Sequence, residues 1–247
     1  MAERAGVGAG AHGGPASDAP NLGRLLFGGR AVLVADDPRA PATGLYPEER
    51  HLVRDAVPRR QRELAAGRRC ARRALARCGV GAGPLLPDGS RAPRWPAGWV
   101  GSITHTETWC AAAVGPAGRF RSIGLDAEPA APLDGELWAT VLTPEERQWL
   151  AHRPPRHRGT LARLLFSAKE AAFKCQYPIT RALLDFEAFA VEIEGFPFGA
   201  AETCRCDAPA FRARLRTHVA PFAAGAVLPG RFVAAEGLLI TAVALAR

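Results

Sequence analysis

A chain of 247 residues, 48% hydrophobic and carrying a formal net charge of +8, has room for one large domain or two small ones with a real core. No apolar run is long enough to span a bilayer and no charged-then-apolar leader opens the chain, so a soluble, cytoplasmic protein is expected, without membrane association. The charge calls for an anionic partner: nucleic acid, a polyphosphate ligand or an acidic protein.

Residues 1 to about 20 are Gly/Ala-rich with almost no large apolar side chain, and read as a disordered tail. Leu25, Leu26 and Phe27, followed by AVLVA at 31–35, read as the first buried strand. From Arg50 to Arg77 ten arginines stand against Asp55 and Glu63. In the second part of that stretch Leu64, Ala71, Ala74, Leu75 and Cys78 recur at helical spacing, so the arginines take the other face until Gly79 ends the helix. A turn-rich segment then leads to strand candidates at 99–103 and 109–114, joined by the polar turn THTET as a hairpin. RSIGLDAEP from Arg121 is a further strand that breaks at Pro129. Thr143-Pro144-Glu145-Glu146 has the form of a helix start, with Thr as N-cap, Pro at the first position and acids in the first turn. The helix containing FSAKEAAFK is expected to end before Tyr177-Pro178. FEAFAVEIEG, FRARLRTHVA, GRFVAAEG and LLITAVAL alternate as antiparallel strands do. The order of elements fits an α+β fold with a break near 115–120 between two halves, and no internal repeat is evident. Six cysteines, Cys70, Cys78, Cys110, Cys175, Cys204 and Cys206, form no CxxC pair and read as small core residues of a reducing compartment.

Thirty arginines accompany only two lysines, Lys169 and Lys174, both in FSAKEAAFK. A compact ammonium therefore stands where a planar guanidinium would not serve. Between them Glu170 shares a helical stripe with Phe166 and Phe173, which puts a carboxylate on an apolar face. Asp126 and Glu128 stand two apart at a strand end, so both carboxylates face one spot. Three such acids suit a hard cation such as magnesium. His105 in the turn of GSITHTE is placed to meet a phosphate or move a proton, and the arginine helix with Arg91 supplies phosphate donors. Each feature also has an ordinary reading: a surface Glu–Lys pair, a solvated strand end, a turn histidine, a solvated basic face.

GSITHT, SIGLDAEP and FSAKEAAFK, in this order and at these separations, resemble the three motifs of the 4′-phosphopantetheinyl transferases. The likeness is to the two-lobed type, in its enterobactin-synthase-component-D-like branch, and ELAAGRRCARRAL and YPIT…LLDFE are similar as well. It covers roughly residues 25 to 195. The resemblance implies two similar α/β lobes in one chain, related by a pseudo-twofold axis, with residues 21–118 as the N-terminal lobe and 119–247 as the C-terminal lobe. Coenzyme A and the metal would lie in the cleft between them. It implies transfer of phosphopantetheine from coenzyme A to a serine of an apo carrier protein, with release of 3′,5′-ADP. The metal, Mg2+ with Mn2+ as the alternative, falls on Asp126, Glu128 and Glu170. Lys174 falls beside the pyrophosphate and His105 on the phosphates, with Thr104 where the family often has serine. Arg91 falls on the nucleotide part, and Arg60 and Arg68 are the positions chosen for the 3′-phosphate. The base for the carrier serine falls on Glu145, with Glu146 or a water as alternatives. A monomer is implied, and siderophore, polyketide and fatty-acid carriers fit alike. Two other classes stay open at this point: a basic nucleic-acid-binding protein, which would leave the three acids unexplained, and a Mg-dependent phosphodiesterase.

Overall fold

The computed structural model describes residues 19–81, 83–89, 92–194 and 209–247. It is a mixed α/β structure with two antiparallel sheets. The first takes β1 (Val32–Asp36), β2 (Trp99–His105) and β3 (Cys110–Pro116) in the order β1-β3-β2. The second takes β4 (Phe120–Pro129), β5 (Phe189–Glu194), β6 (Ala210–Leu215), β7 (Val227–Ala235) and β8 (Leu238–Ala246) in the order β4-β8-β7-β6-β5. Helices α1 (Ala19–Phe27), α2 (Pro47–His51) and α3 (Pro58–Arg77) precede β2; α4 (Trp138–Val141), α5 (Pro144–Ala151) and α6 (Pro155–Thr180) follow β4.

Alternation along the strands sorts the core. On β3, Cys110, Ala112 and Val114 face α3, where Cys70, Ala71 and Ala74 are small enough for close contact. Trp109, Ala111 and Ala113 face the other way and meet Ile123, Leu125 and Ala127 of β4, so one core is shared by both sheets. The opposite face of β4 carries α6. There Gly124 lets the helix come down onto the strand, because a Cβ would stand 1.9 Å from the Ala171 carbonyl oxygen.

Several expectations change. Leu25–Phe27 belong to α1, not to a strand, since Leu22 and Leu26 bury one helical face beside β1. The basic stretch is two helices separated at Pro58, a residue tolerated at the first position of α3 and not in a helix interior. Arg68 leaves the exposed face expected of the arginines and is 6% exposed. Helix α6 runs through Pro178 to Thr180, because a proline so near the end removes one hydrogen bond and little else, and Arg181 closes it in the left-handed region at φ 61°. Cys70, Cys110 and Cys175 are buried and free as expected, and Cys204 and Cys206 lie outside the described residues. So do the tail to residue 18 and Arg91.

The chain also repeats itself. Leu-x-Pro-Glu-Glu-Arg occurs at 45–50 and again at 142–147, each time opening a short helix on its proline. In both, the second glutamate turns inward and takes the backbone N–H that precedes the helix: Tyr46 to Glu49 at 3.0 Å, Thr143 to Glu146 at 2.8 Å. It also accepts an N–H from a later segment, Leu85 or Val191, both at 2.8 Å. Each glutamate then meets a cation on the next long helix, Arg72 at 2.8 Å or Lys169 at 2.7 Å. The spacing from 49 to 72 equals that from 146 to 169.

Candidate active site

Strands β2 and β4 are joined by side chains. Ser102 Oγ accepts the Leu125 N–H at 3.0 Å, and Thr104 Oγ1 accepts the Ala127 N–H at 3.1 Å. Both partners advance by two, so the strands run parallel and their C-terminal ends share one edge. That edge carries His105 on one side and Asp126 with Glu128 on the other. Thr104, 3% exposed, spends its hydroxyl on this seam and also donates to Asp126 Oδ1 at 3.3 Å. It therefore orients Asp126, where the sequence had placed it on the ligand.

Asp126 is 4% exposed and fully engaged. Lys174 Nζ meets its Oδ1 at 2.6 Å, and Ser167 Oγ donates to its Oδ2 at 2.8 Å. Ser167 is itself paired with Thr241 Oγ1 of β8 at 2.8 Å. Glu128 meets Arg163 at 2.9 Å. Its carboxyl is raised above the usual glutamate range, first by burial and then by the charge of Asp126, against the pull of Arg163. Burial also raises Glu170; Lys174 opposes the shift and Asp126 adds to it. Asp126 thus stands in electrostatic reach of both glutamates, and the two cations offset charge that three acids would otherwise leave exposed. Among the described residues no three His, Cys, Asp or Glu side chains are gathered closely enough to hold a metal ion. The donor set is all oxygen and short of positive charge, which fits a hard cation such as Mg2+ or Mn2+. Lys174 meets Asp126 and Arg163 meets Glu128 on those oxygens.

Across the edge, His105 Nε2 lies 3.1 Å from Glu63 Oε2 and 3.3 Å from Arg60 Nη1. Burial works to raise the Glu63 carboxyl, but the Arg59 hydrogen bond, His105 and Arg60 outweigh it and leave it lowered. Arg60 and His105 are thus brought together, as a pair able to bind an anion. Arg68, deeper on the same helix, has its Nε 3.8 Å from Glu49 Oε1 and without a hydrogen-bond partner among the described residues. Burial lowers its pKa, Glu49 opposes the shift, and the charges of Arg72 and Arg60 add to it, so Arg68 stands in electrostatic reach of Arg60.

The two glutamates considered as the base separate sharply. Glu146 is 5% exposed, caps α5 and is ion-paired to Lys169, so it has no access to a substrate. Glu145 beside it is exposed, and its carboxyl is lowered by its own backbone N–H and by the Thr143 hydroxyl, with Arg216 and Arg147 adding to this. No hydrogen bond or ion pair ties it to Asp126, Glu128 or Glu170. Lys169 is wholly buried, donating to the Val141 and Phe186 carbonyls at 2.8 and 3.1 Å, which decides a structural role for it. Sequence reasoning missed Ser167, Glu63 and Arg163. Ser167 and Arg163 were visible in outline, seven positions before Lys174 and Glu170 on the same helix.

Comparison with known proteins places these residues in a family context. The family described as 4′-phosphopantetheinyl transferase N-terminal domain matches residues 48–115, and the 4′-phosphopantetheinyl transferase superfamily matches residues 122–227. The chain is 44% identical over 218 residues to the 4′-phosphopantetheinyl transferase Svp of Streptomyces mobaraensis, spanning 85% of this chain and 82% of that protein. It is 38% identical over 204 residues to Npt of Nocardia iowensis, with 81% and 89% covered. To PptT of Mycobacterium tuberculosis it is 38% identical over 149 residues, with 60% and 64% covered.

Proposed function

Because the chain belongs to the 4′-phosphopantetheinyl transferase superfamily, enzymes that act on coenzyme A and carrier proteins, we propose that the Asp126–Lys174 edge is where it performs that transfer. The observation that carries this reading is the buried Asp126, held by Lys174 at 2.6 Å with Glu128 and Glu170 in its field, one residue along from the Thr104–His105 strand end. Asp126, Glu128 and Glu170 would hold Mg2+, or Mn2+ in its place. Bound there, the ion would supply charge neutralisation for the pyrophosphate and for the departing 3′,5′-ADP.

The chain's own residues do the rest. Lys174 places a compact charge next to the reacting phosphate. His105, Arg60 and Arg68 hold the remaining phosphates, Arg91 the nucleotide part, and Thr104 keeps Asp126 in place. The carrier serine Oγ forms the new bond to phosphorus while the bond to 3′,5′-ADP breaks. Its proton passes to Glu145, directly or through water. The repeated glutamate clamp supports two similar lobes, residues 21–118 and 119–247, related by a pseudo-twofold axis with the site in the cleft where β2 meets β4. A chain holding both halves would complete that cleft as a monomer, and free buried cysteines suit a cytoplasmic setting.

The test is the mass of an apo carrier protein incubated with the chain, coenzyme A and Mg2+. A gain of one phosphopantetheine is expected, lost in Asp126→Ala or Glu170→Ala variants that remain folded and reduced in Lys174→Arg. No gain on any of a panel of fatty-acid, polyketide and peptide-synthetase carriers would sink the reading.

A further inference from the structure

The arginines of α3 are largely matched by acids: Glu49, Glu63 and Asp36 lie within 3.8 Å of six of its eight. The corner made by α5 and the start of α6 is charged differently. From Arg147 to Lys169 the sequence contains no acidic residue, while Arg147, Arg153, Arg156, Arg158 and Arg163 fall within it. Two of these bond to groups that leave their charge in place: Arg158 donates to the Arg153 and Ala151 carbonyls at 2.8 Å and Arg156 to the His157 ring at 3.0 Å. Arg147 donates to the Leu142 carbonyl at 2.9 Å and lies within the field of the exposed Glu145.

The placement works against the helix. The first turn of α6 is Pro155-Arg156-His157-Arg158, with no acid, at the end where the helix dipole favours negative charge. Helix α3 also opens on arginines, but Glu63 answers Arg59 and Arg60 one turn later; α6 has no acid before Glu170. Among the described residues Arg156 and Arg158 form no ion pair, so their charge stays available to a partner outside the chain.

Geometry connects the corner to the site. Arg156, Arg163, Glu170 and Lys174 stand at i, i+7, i+14 and i+18, so they share one stripe of α6. Arg163 already touches Glu128, and Arg156 lies about 21 Å along the helix from Glu170, less than the width of a small domain. Nearby, Arg147 also reaches the Ala139 carbonyl, next to Leu137, which is 48% exposed. We propose that the α5–α6 corner is the docking surface for an acidic face of the carrier protein, with Arg156 as its most forward charge. The proposal rests on the transferase reading and adds to it which surface the carrier uses.

The experiment compares Arg156→Glu, Arg156→Gln and, as a control on the other basic helix, Arg77→Glu, a residue that is exposed and has no ion pair among the described residues. The assay uses whichever apo carrier of the panel the unaltered chain modifies. Arg156→Glu should raise KM for the carrier roughly tenfold or more through lost steering, with a weaker salt dependence. Arg156→Gln should fall between. In both, kcat at saturating carrier and the Kd for coenzyme A should be unchanged, and the Tm of Arg156→Glu unchanged or higher, because an acid there suits the helix end. Arg77→Glu should leave the carrier KM where it was. A carrier KM unmoved by Arg156→Glu, or moved equally by Arg77→Glu, would overturn the corner while leaving the transferase reading intact. Random-sequence duplex DNA that bound more tightly than the carrier at physiological salt, and lost that binding in Arg156→Glu, would reassign the surface to nucleic acid. An unaltered chain that modified no carrier would remove the transferase reading and the corner together.

Discussion

Asp36 and Asp126 each stand near the end of a strand beneath a long helix, Asp36 as its final residue and Asp126 three before the end, yet only one of them belongs to the candidate site. Asp36, at the end of β1, is matched by Arg69 at 2.8 Å and Arg73 at 3.6 Å. Asp126 receives a lysine and two hydroxyls, and it has Glu128 and Glu170 in its field. The scaffolds around the two are alike, since the same buried glutamate clamps Arg72 in one half and Lys169 in the other. The next residue along is Arg73 in the first half and Glu170 in the second. At the spacing of the repeat Arg69 and Arg73 give way to Phe166 and Glu170, which separates a strand end neutralised by arginine from one that gathers carboxylates. The clamp is the same in both places; the residues around it on the long helix differ.

Breaking the clamps should have the largest effect. Lys169→Met leaves Glu146 as a buried, uncompensated charge and should cost about 3–5 kcal/mol in urea unfolding. Arg72→Met should cost less, because Arg68 still faces Glu49 at 3.8 Å. Equal losses would mean that Arg68 does not compensate Glu49 when Arg72 is gone. Next comes the strand-end pair. Asp126→Asn should lower kcat for carrier modification by about 10²–10³-fold, a charge-stabilising group having been removed. Asp36→Asn should leave kcat unchanged, and a matching drop there would place both aspartates in the site.

The helix–sheet contacts give a third comparison. Gly124→Ala drives a Cβ into the Ala171 carbonyl, backbone against backbone, and should destabilise by about 3 kcal/mol. At Gly67 the new Cβ would meet side-chain atoms and no backbone, Ile103 Cγ2 at 3.0 Å and Cys110 Sγ at 3.9 Å, so a shift of a few tenths of an ångström relieves it. Alanine also favours the helix by about 0.5–1 kcal/mol, so Gly67→Ala should be close to neutral. Thermal unfolding of the two variants reads the difference directly. The smallest effect is at Glu63, whose lowered carboxyl contributes stability above the ordinary value of 4.5, lost as pH falls through its own lower pKa. The pair is partly exposed and worth under about 1 kcal/mol. Carboxyl chemical shifts should place the Glu63 midpoint below 4.5, and a midpoint at or above it would mean that Arg59 and Arg60 do not hold it in solution.

Most strands were legible because alternation is a local property: β2, β3 and β4 fall where GSITH, WCAAAV and SIGLDAEP put them. The start of α5 was legible for the same reason, its cap and proline being adjacent in sequence. Leu25–Phe27 misled because three apolar residues in a row satisfy a strand and one face of a short helix equally well. The repeat stayed hidden because only its clamp shows that Leu-x-Pro-Glu-Glu-Arg does the same thing twice.

By itself the sequence determined the family, through three short motifs in order, and it singled out the segment holding both lysines. It also put Asp126, Glu128, Glu170 and Lys174 forward together, since their spacing on one strand and one helix places them on common faces. Only the tertiary structure decided which charges stay inside as scaffold. Lys169 and Lys174 look alike in FSAKEAAFK, yet one is sealed against Glu146 and the other meets Asp126 beside the open edge. A step of five positions turns the side chains to different sides of α6, and what each meets there is set by residues 23 and 48 positions away in the chain. Periodicity reports the direction of a side chain; the packing of distant segments settles whether that direction leads to a buried partner or to a substrate.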